Sequence, residues 1–457
     1  MVPVTNVLEL IGNTPLVQLR TFDTGPCKLF VKLESQNPGG SIKDRIGRSM
    51  IETAERDGRI GPGSTLVEAT AGNTGLGLAL VAAQKGYRLI LVIPDKMSQE
   101  KVLHLRALGA EVVMTRSDVG KGHPQYYQDL AEKITRETPQ AFYVNQFNNP
   151  ANPLAHETTT GPEIWDQTGH DLDAVVCGVG SGGTLSGLSH FFARVAPQME
   201  IVLADPAGSV LADYVQTGRI GEAGSWVVEG IGEDFVPPIA DLSRVRQAYT
   251  ITDAESLATA RALLKQEGIL AGSSSGTLLA GALRYCRAQS NPKRVVTLVC
   301  DSGSKYLSKV YNDFWMADRG FLTGQTYGDL RDIISRRFAE GAVISVGPDD
   351  PLSIAYTRMR LYDVSQLPVL DGAHVAGILD ESDLLLAVTG DAAAFRRPVR
   401  EFMTTKLQTI RPQAAIEELL PVFDAGHVAI VADDEGFYGL ITRVDVVSYL
   451  RRKHQPL

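Results

Sequence analysis

The sequence predicts a doubly wound α/β unit followed by a smaller, internally duplicated module, and three observations carry that prediction. From about Leu29 to Asp301, short β-branched runs alternate with longer helical stretches, the βαβ rhythm of a mostly parallel sheet. The runs are continuously apolar, so helices must cover both faces of the sheet, which excludes a sandwich. Further on, Gly377-Ile378-Leu379-Asp380-Glu381-Ser382-Asp383-Leu384 recurs as Gly439-Leu440-Ile441-Thr442-Arg443-Val444-Asp445-Val446.

The expected strands, in order, are 29–33, 65–68, 88–93, 111–114, 174–177, 200–204 and 295–300, with helices over 75–85, 99–108, 125–137 and 254–267 among them. Beyond residue 320 a polar stretch reads as a linker. Each copy of the repeat then places an apolar strand, Leu367-Pro368-Val369-Leu370 or Val428-Ala429-Ile430-Val431, before its hairpin and helix. Two copies are too few for a solenoid and suggest a pseudo-symmetric pair. The expected division is a catalytic domain over 1–320, a linker over 321–337, and repeat copies over 338–395 and 396–457.

Composition excludes several classes. With 457 residues, 44% hydrophobic and 21% charged, each part can bury a core. A net charge of −9 offers no broad footprint for nucleic acid or an anionic membrane. No signal peptide or membrane-spanning run is present in the sequence, so a cytoplasmic protein is expected. Cys27, Cys177, Cys286 and Cys300 stand far apart, and His104, His123, His156 and His190 lack ligand spacing, so neither disulfides nor a metal site are expected.

The 44 glycines cluster at strand-to-helix turns. Ala69-Thr70-Ala71-Gly72-Asn73-Thr74-Gly75 offers helix N–H groups with Thr and Asn side chains, suited to a carboxylate or phosphate, or else a plain capped turn. Gly178-Val179-Gly180-Ser181-Gly182-Gly183-Thr184 admits two readings. With Asp205 further on it satisfies the dinucleotide fingerprint, though in a strand well inside the sheet. It is equally a glycine nest around one phosphate. Leu270-Ala271-Gly272-Ser273-Ser274-Ser275-Gly276 places three hydroxyls at a helix start. Lys43, in Ser41-Ile42-Lys43-Asp44-Arg45, sits in a first helical turn, where the dipole disfavours its charge and favours Schiff-base chemistry. The ordinary alternative is a solvated lysine between Asp44 and Arg45.

A nucleophilic lysine, a phosphate nest, a carboxylate loop and a serine-rich helix start together suit pyridoxal phosphate and an amino acid. These stretches, with Ile11-Gly12-Asn13-Thr14-Pro15-Leu16-Val17, resemble the tryptophan-synthase-like, fold-type II pyridoxal-phosphate enzymes. Asn145-Gln146-Phe147-Asn148-Asn149-Pro150, Glu229-Gly230-Ile231-Gly232-Glu233-Asp234-Phe235 and Ser308-Lys309-Val310-Tyr311-Asn312 narrow the likeness to the cysteine synthase/cystathionine β-synthase family, and the repeat resembles paired CBS domains. The resemblance implies a two-subdomain parallel-sheet fold followed by an α+β CBS pair.

It further implies that Lys43 carries the cofactor and moves the substrate's α-proton. Gly180, Ser181, Gly182, Gly183 and Thr184 would hold the phosphate, Asn73 the ring hydroxyl, and Ser274 the pyridine nitrogen. Thr70, Ala71, Asn73, Thr74 and Gln146 would bind the substrate carboxylate, with Gly230 and Glu233 beside the second substrate. The implied reaction is β-replacement, condensing serine with homocysteine to give cystathionine and water, in a homodimer or larger homo-oligomer. The alternative within the family is O-acetylserine with sulfide. Outside it stand an NAD-linked oxidoreductase and a nucleotide-sensing module with a relic large domain.

Three departures mark this chain: Ala71 replaces a frequent Ser, Glu233 a Tyr of the animal and fungal members, and Phe147 a hydroxylated residue. The heme-binding extension of animal members has no counterpart ahead of Ile11, so no heme is expected. Thr442, Asp383 and Asp445 match nucleotide-contacting positions of CBS domains, while Asp380 replaces the Thr of the second copy. An adenosyl effector there is allowed rather than implied. Helix capping and dimer stabilisation are the competing roles.

Overall fold

The computed structural model describes residues 3–70, 72–95, 97, 99–120, 122–322 and 326–454. Two compact units divide it, Met1–Asn312 and Asp313–Leu457.

The first unit runs β1 (Leu16–Gln18), β2 (Lys28–Leu33), α1 (Lys43–Arg56), β3 (Thr65–Ala69), α2 (Asn73–Lys85), β4 (Arg88–Pro94), α3 (Gln99–Ala107), β5 (Glu111–Thr115), α4 (Tyr127–Glu137) and β6 (Ala141–Tyr143). It continues through α5 (Ala151–Ala155), a π-helical turn (His156–Thr160), α6 (Gly161–Gln167), β7 (Ala174–Cys177), α7 (Gly183–Val195), β8 (Glu200–Pro206), α8 (Leu211–Thr217), β9 (Val245–Ile251), α9 (Asp253–Glu267), α10 (Ser273–Arg287) and β10 (Arg294–Val299). The strands form two sheets. The larger has the order β1-β2-β10-β7-β8-β9 and is parallel except for β1, and the smaller, β5-β4-β3-β6, is wholly parallel.

Continuous apolar runs have the expected consequence. In β4, Leu89, Leu91 and Ile93 point into one core with Ile46, Met50 and Leu76, while Ile90 and Val92 point into another with Ala131. Strand β4 therefore serves two cores, and the polar ends of the sheets are left to carry the site.

Helices α1 and α2 cross with their backbones in contact. A Cβ on Gly77 would lie 2.4 Å from the Lys43 carbonyl oxygen, and one on Gly47 would lie 2.7 Å from the Gly77 carbonyl carbon. Lys43 is thus placed by the absence of two methyl groups.

The second unit comprises α11 (Asp313–Asp318), α12 (Leu352–Tyr362), β11 (Gln366–Asp371), β12 (His374–Asp380), α13 (Glu381–Gly390), β13 (Thr409–Ile410), α14 (Leu420–Asp424), β14 (Ala429–Asp433), β15 (Gly436–Ile441) and α15 (Arg443–His454). The duplication is visible in detail. Both hairpins are antiparallel and break register at the same point of the repeat, between Val369 and Leu370 and between Val431 and Ala432. Leu330, Ile333 and Ile334, from the segment before Phe338, enter the core of the second copy.

Candidate active site

The hub of the site is the chain that leaves β10. Ile42 N–H donates to the Cys300 carbonyl (2.8 Å), and Gly272 N–H donates to the Asp301 carbonyl (3.1 Å). Cys300 N–H donates to Ser275 Oγ (3.0 Å). The turn before Lys43 and the start of α10, with Ser274, are therefore pinned to consecutive residues. Asp301 is fully buried and accepts from Asn73 Nδ2 (2.7 Å) and the Tyr306 hydroxyl (2.7 Å), so the start of α2 joins the same point.

Lys43 opens α1 half-buried. Burial pushes its amine below the ordinary value, and Cys300 and Asp301 pull it part of the way back. The solvated arrangement is not formed, because its neighbours turn inward. Asp44 accepts from Gly39 N–H (2.5 Å), and its carboxyl is pushed up to about 6 by burial. Arg45 pairs with Glu34 and Glu163 at 2.7 Å each.

The glycine turn between β7 and α7 is shaped from outside. A Cβ on Gly180 would lie 2.6 Å from the Gly230 carbonyl oxygen, one on Gly182 2.6 Å from Ala240 Cβ, and one on Gly183 1.8 Å from Asn152 Oδ1. Gly182 is left-handed at φ 92°, as the turn into α7 requires. Among the described residues, the backbone N–H groups of 180–184 have no protein acceptor. Asn152 Nδ2 donates to Ser181 Oγ (2.9 Å), and Thr184 Oγ1 lies 3.2 Å from Nε2 of fully buried His156. Burial, then Lys43 and Arg45, hold His156 far below its usual value and favour the neutral ring. A ring of unsatisfied N–H groups and hydroxyls at a helix N-terminus fits a phosphate.

The turn between β3 and α2 is furnished with side chains. Thr70 and Thr74 are buried, Thr74 Oγ1 donates to Gln146 Oε1 (2.7 Å), and Gly72 N–H donates to Thr70 Oγ1 (3.1 Å). Asn152 Nδ2 also donates to the Gln146 carbonyl (2.8 Å), which couples this turn to the phosphate turn. Ala71 lies outside the described residues. Beneath the turn, Glu68 is fully buried, accepts from Gln146 N–H (3.4 Å) and is pushed up to about 8 by burial. Its Oε2 has no partner among the described residues.

Gly230 backs the phosphate turn. Glu233 N–H donates to Ser209 Oγ (3.1 Å), and its carboxylate, after burial, raises the Tyr127 hydroxyl above its ordinary value. Phe147 and Phe235 pack at 5.8 Å between ring centroids. The structure thus assembles Lys43, Asn73, Ser274, the 180–184 turn, Thr70, Thr74 and Gln146 around one set of hydrogen bonds. Asp301, Tyr306 and Lys305 were not anticipated, although an acid directly after a buried parallel strand was the available signal. Asp205 is turned inward instead, accepting from Ala212 N–H (2.9 Å) to hold α8, so the dinucleotide reading loses its ribose contact.

In the second unit, Asp445 accepts from Thr442 N–H (2.7 Å) and Thr442 Oγ1 (2.5 Å), and also from Ser335 Oγ. Asp383 accepts from Asp380 N–H (3.0 Å) within a capping box. Both act as helix caps here.

Residues 7–301 match the family of pyridoxal-phosphate dependent enzymes, and residues 330–390 and 399–452 each match the CBS domain. The chain belongs to that enzyme family and ends in a pair of CBS domains. It is 35% identical to a cystathionine beta-synthase of Dictyostelium discoideum, over 98% of this chain and 93% of the relative. Identity reaches 42% with a cystathionine beta-synthase of Saccharomyces cerevisiae, over 97% of both chains. Among solved structures it is similar to an O-acetylserine dependent cystathionine beta-synthase from Helicobacter pylori (35% identity, TM-score 0.64, 68% of this chain and all of that one). A hydrogen sulfide-producing enzyme from Fusobacterium nucleatum matches similarly (36% identity, TM-score 0.63, 67% of this chain and all of that one).

Proposed function

We propose that the protein catalyses β-replacement, condensing L-serine with L-homocysteine to give L-cystathionine and water. The observation that carries this reading is likeness to cystathionine beta-synthases along nearly the whole chain, catalytic unit and CBS pair together. We further propose a cytoplasmic homodimer or larger homo-oligomer, and the CBS pair as the place where an adenosyl effector would act.

Pyridoxal phosphate, when bound, supplies an electron sink that acidifies the amino acid's α C–H and loosens its β-substituent. The chain's residues fit that group: the N–H groups of 180–184 with Ser181 and Thr184 for its phosphate, Asn73 for its ring hydroxyl, Ser274 for its ring nitrogen, and Lys43 for its aldehyde carbon. Thr70, Asn73 and Thr74, with Gln146 behind them, bind and orient the substrate carboxylate at the start of α2, where the helix dipole favours an anion. The Lys43 amine, its proton affinity lowered by burial, takes the α-proton and delivers a proton to the departing hydroxyl. Ser274 presents a hydroxyl rather than a carboxylate to the ring nitrogen, which moderates the sink and favours elimination over transamination. The negative charge of Glu233, close enough to Tyr126 and Tyr127 to act on both, suits the α-ammonium of an incoming amino-acid thiol better than free sulfide.

A second reading, O-acetylserine as first substrate, is favoured by the likeness to the Helicobacter pylori enzyme. Initial rates with serine or O-acetylserine, each paired with homocysteine or sulfide, separate the readings. Serine with homocysteine is expected to lead. A preference for O-acetylserine with homocysteine would move only the leaving group, and a strong preference for sulfide would overturn the proposal.

A further inference from the structure

Asn73 is gripped at both ends of its amide. Lys305 Nζ donates to Asn73 Oδ1 at 3.1 Å, and Asn73 Nδ2 donates to Asp301 Oδ2 at 2.7 Å. An ammonium can only donate and a carboxylate can only accept, so the two neighbours fix which end of the amide is oxygen. Nδ2 carries two hydrogens. With one given to Asp301, the other is left for a ligand, and the amide oxygen is held away from it.

The same ammonium holds a second element of the site. Lys305 Nζ donates to the carbonyls of Gly39 (3.0 Å) and Gly40 (3.2 Å), in the loop that leads into Lys43. Asp44 accepts from Gly39 N–H, so that loop is tied from both sides. Lys305 itself is buried, at 6% exposure. Burial lowers its affinity for a proton, while Asp301 and Asp44 support the charged form. Long-chain groups are not buried in this way without several partners.

We propose that Lys305 is a positioning residue. It fixes the Asn73 amide so that an N–H, never the carbonyl oxygen, faces the cofactor's ring hydroxyl, and it holds the Lys43 loop in register with that contact. This rests on the reading that Asn73 meets the ring hydroxyl. A donor in that place stabilises negative charge on the hydroxyl oxygen, whereas an amide turned by half a rotation would oppose it.

Holoenzyme carrying Lys305→Met, Lys305→Arg, Asn73→Ala or both Asn73→Ala and Lys305→Met tests this through the visible absorption band of the bound cofactor and its loss on dialysis. The methionine variant is expected to shift the band in the same direction as Asn73→Ala and to lose cofactor about tenfold faster, the cost of one charge-assisted contact. The arginine variant should stay closer to the parent. The double variant should go no further than Asn73→Ala alone. A parent-like band and retention in Lys305→Met, or additive effects in the double variant, overturn the inference while leaving the Asn73 contact standing. An unmoved band in Asn73→Ala removes the premise and the inference together. Should Lys305→Met melt too low to use, Lys305→Gln carries the same comparison, since it keeps a donor but no charge.

Discussion

The two turns that face each other across the active site share one plan and use opposite means. Each follows a buried parallel strand and opens a helix, at β7 to α7 and at β3 to α2. The first is shaped by what its glycines exclude, with Gly230, Ala240 and Asn152 pressed where Cβ atoms would be. The second is shaped by side chains, with Thr74 bonded to Gln146 and Asn73 held by Asp301 and Lys305. The two turns thereby divide the labour of binding. Backbone N–H groups suit a group held through every cycle, whereas hydroxyls and amides can grip and release a substrate. Each turn also rests on a buried titratable group whose neutral form burial favours, His156 beneath one and Glu68 beneath the other.

The comparison breaks most severely at Gly180. Gly180→Ala meets the Gly230 carbonyl, which has no rotamer to escape into, so overpacking of about 3 kcal/mol is expected. Thermal melting should fall, and most of the bound cofactor should be lost on gel filtration.

A smaller and different loss is expected from Thr74→Val. The shape is kept, but Gln146 Oε1 is left without its donor, a cost of about 1–3 kcal/mol. Steady-state kinetics should show KM for the first amino acid rising roughly tenfold or more while the cofactor band stays in place. A shifted band would mean that the two turns do not divide the work as described.

Least effect on turnover is expected from Glu68→Gln, and it shows in stability. A carboxyl raised to about 8 binds its proton more tightly folded than unfolded, so the parent loses stability as pH rises from about 4.5 through about 8. The slope from this group is at most about 1.4 kcal/mol per pH unit. Chemical denaturation of Glu68→Gln across that window should be flatter than the parent by that contribution, and an unchanged slope would mean that Glu68 is ionised in the fold.

Much of this was legible in the sequence for a stated reason. Lys43, the Gly180 turn and the Ser274 helix start were readable because glycine and hydroxyl residues directly between an apolar run and a helix have few other uses. Strands β1, β6 and β9 were not, since all three lie at sheet edges, β1 and β6 are only three residues long, and β9 is largely polar, so none carries a clear periodic signal. Nor does an apolar run state which strand it joins, so the division into two sheets was implied by the family resemblance and not by the strands themselves, and the strand order came from pairing. Asp301 and Lys305 were missed because Asp301-Ser302-Gly303-Ser304 has the composition of a turn. Their importance comes from contacts with Asn73 and Gly39, distant in the chain.

The crossing of α1 and α2 at Gly47 and Gly77 sets the clearance between the reactive lysine and the substrate turn at a place no ligand visits. It works as a spacer made of missing atoms. Variation aimed only at residues lining the site would leave that spacing untouched, whereas one methyl group at position 77 would press on the Lys43 backbone and move the lysine relative to the start of α2.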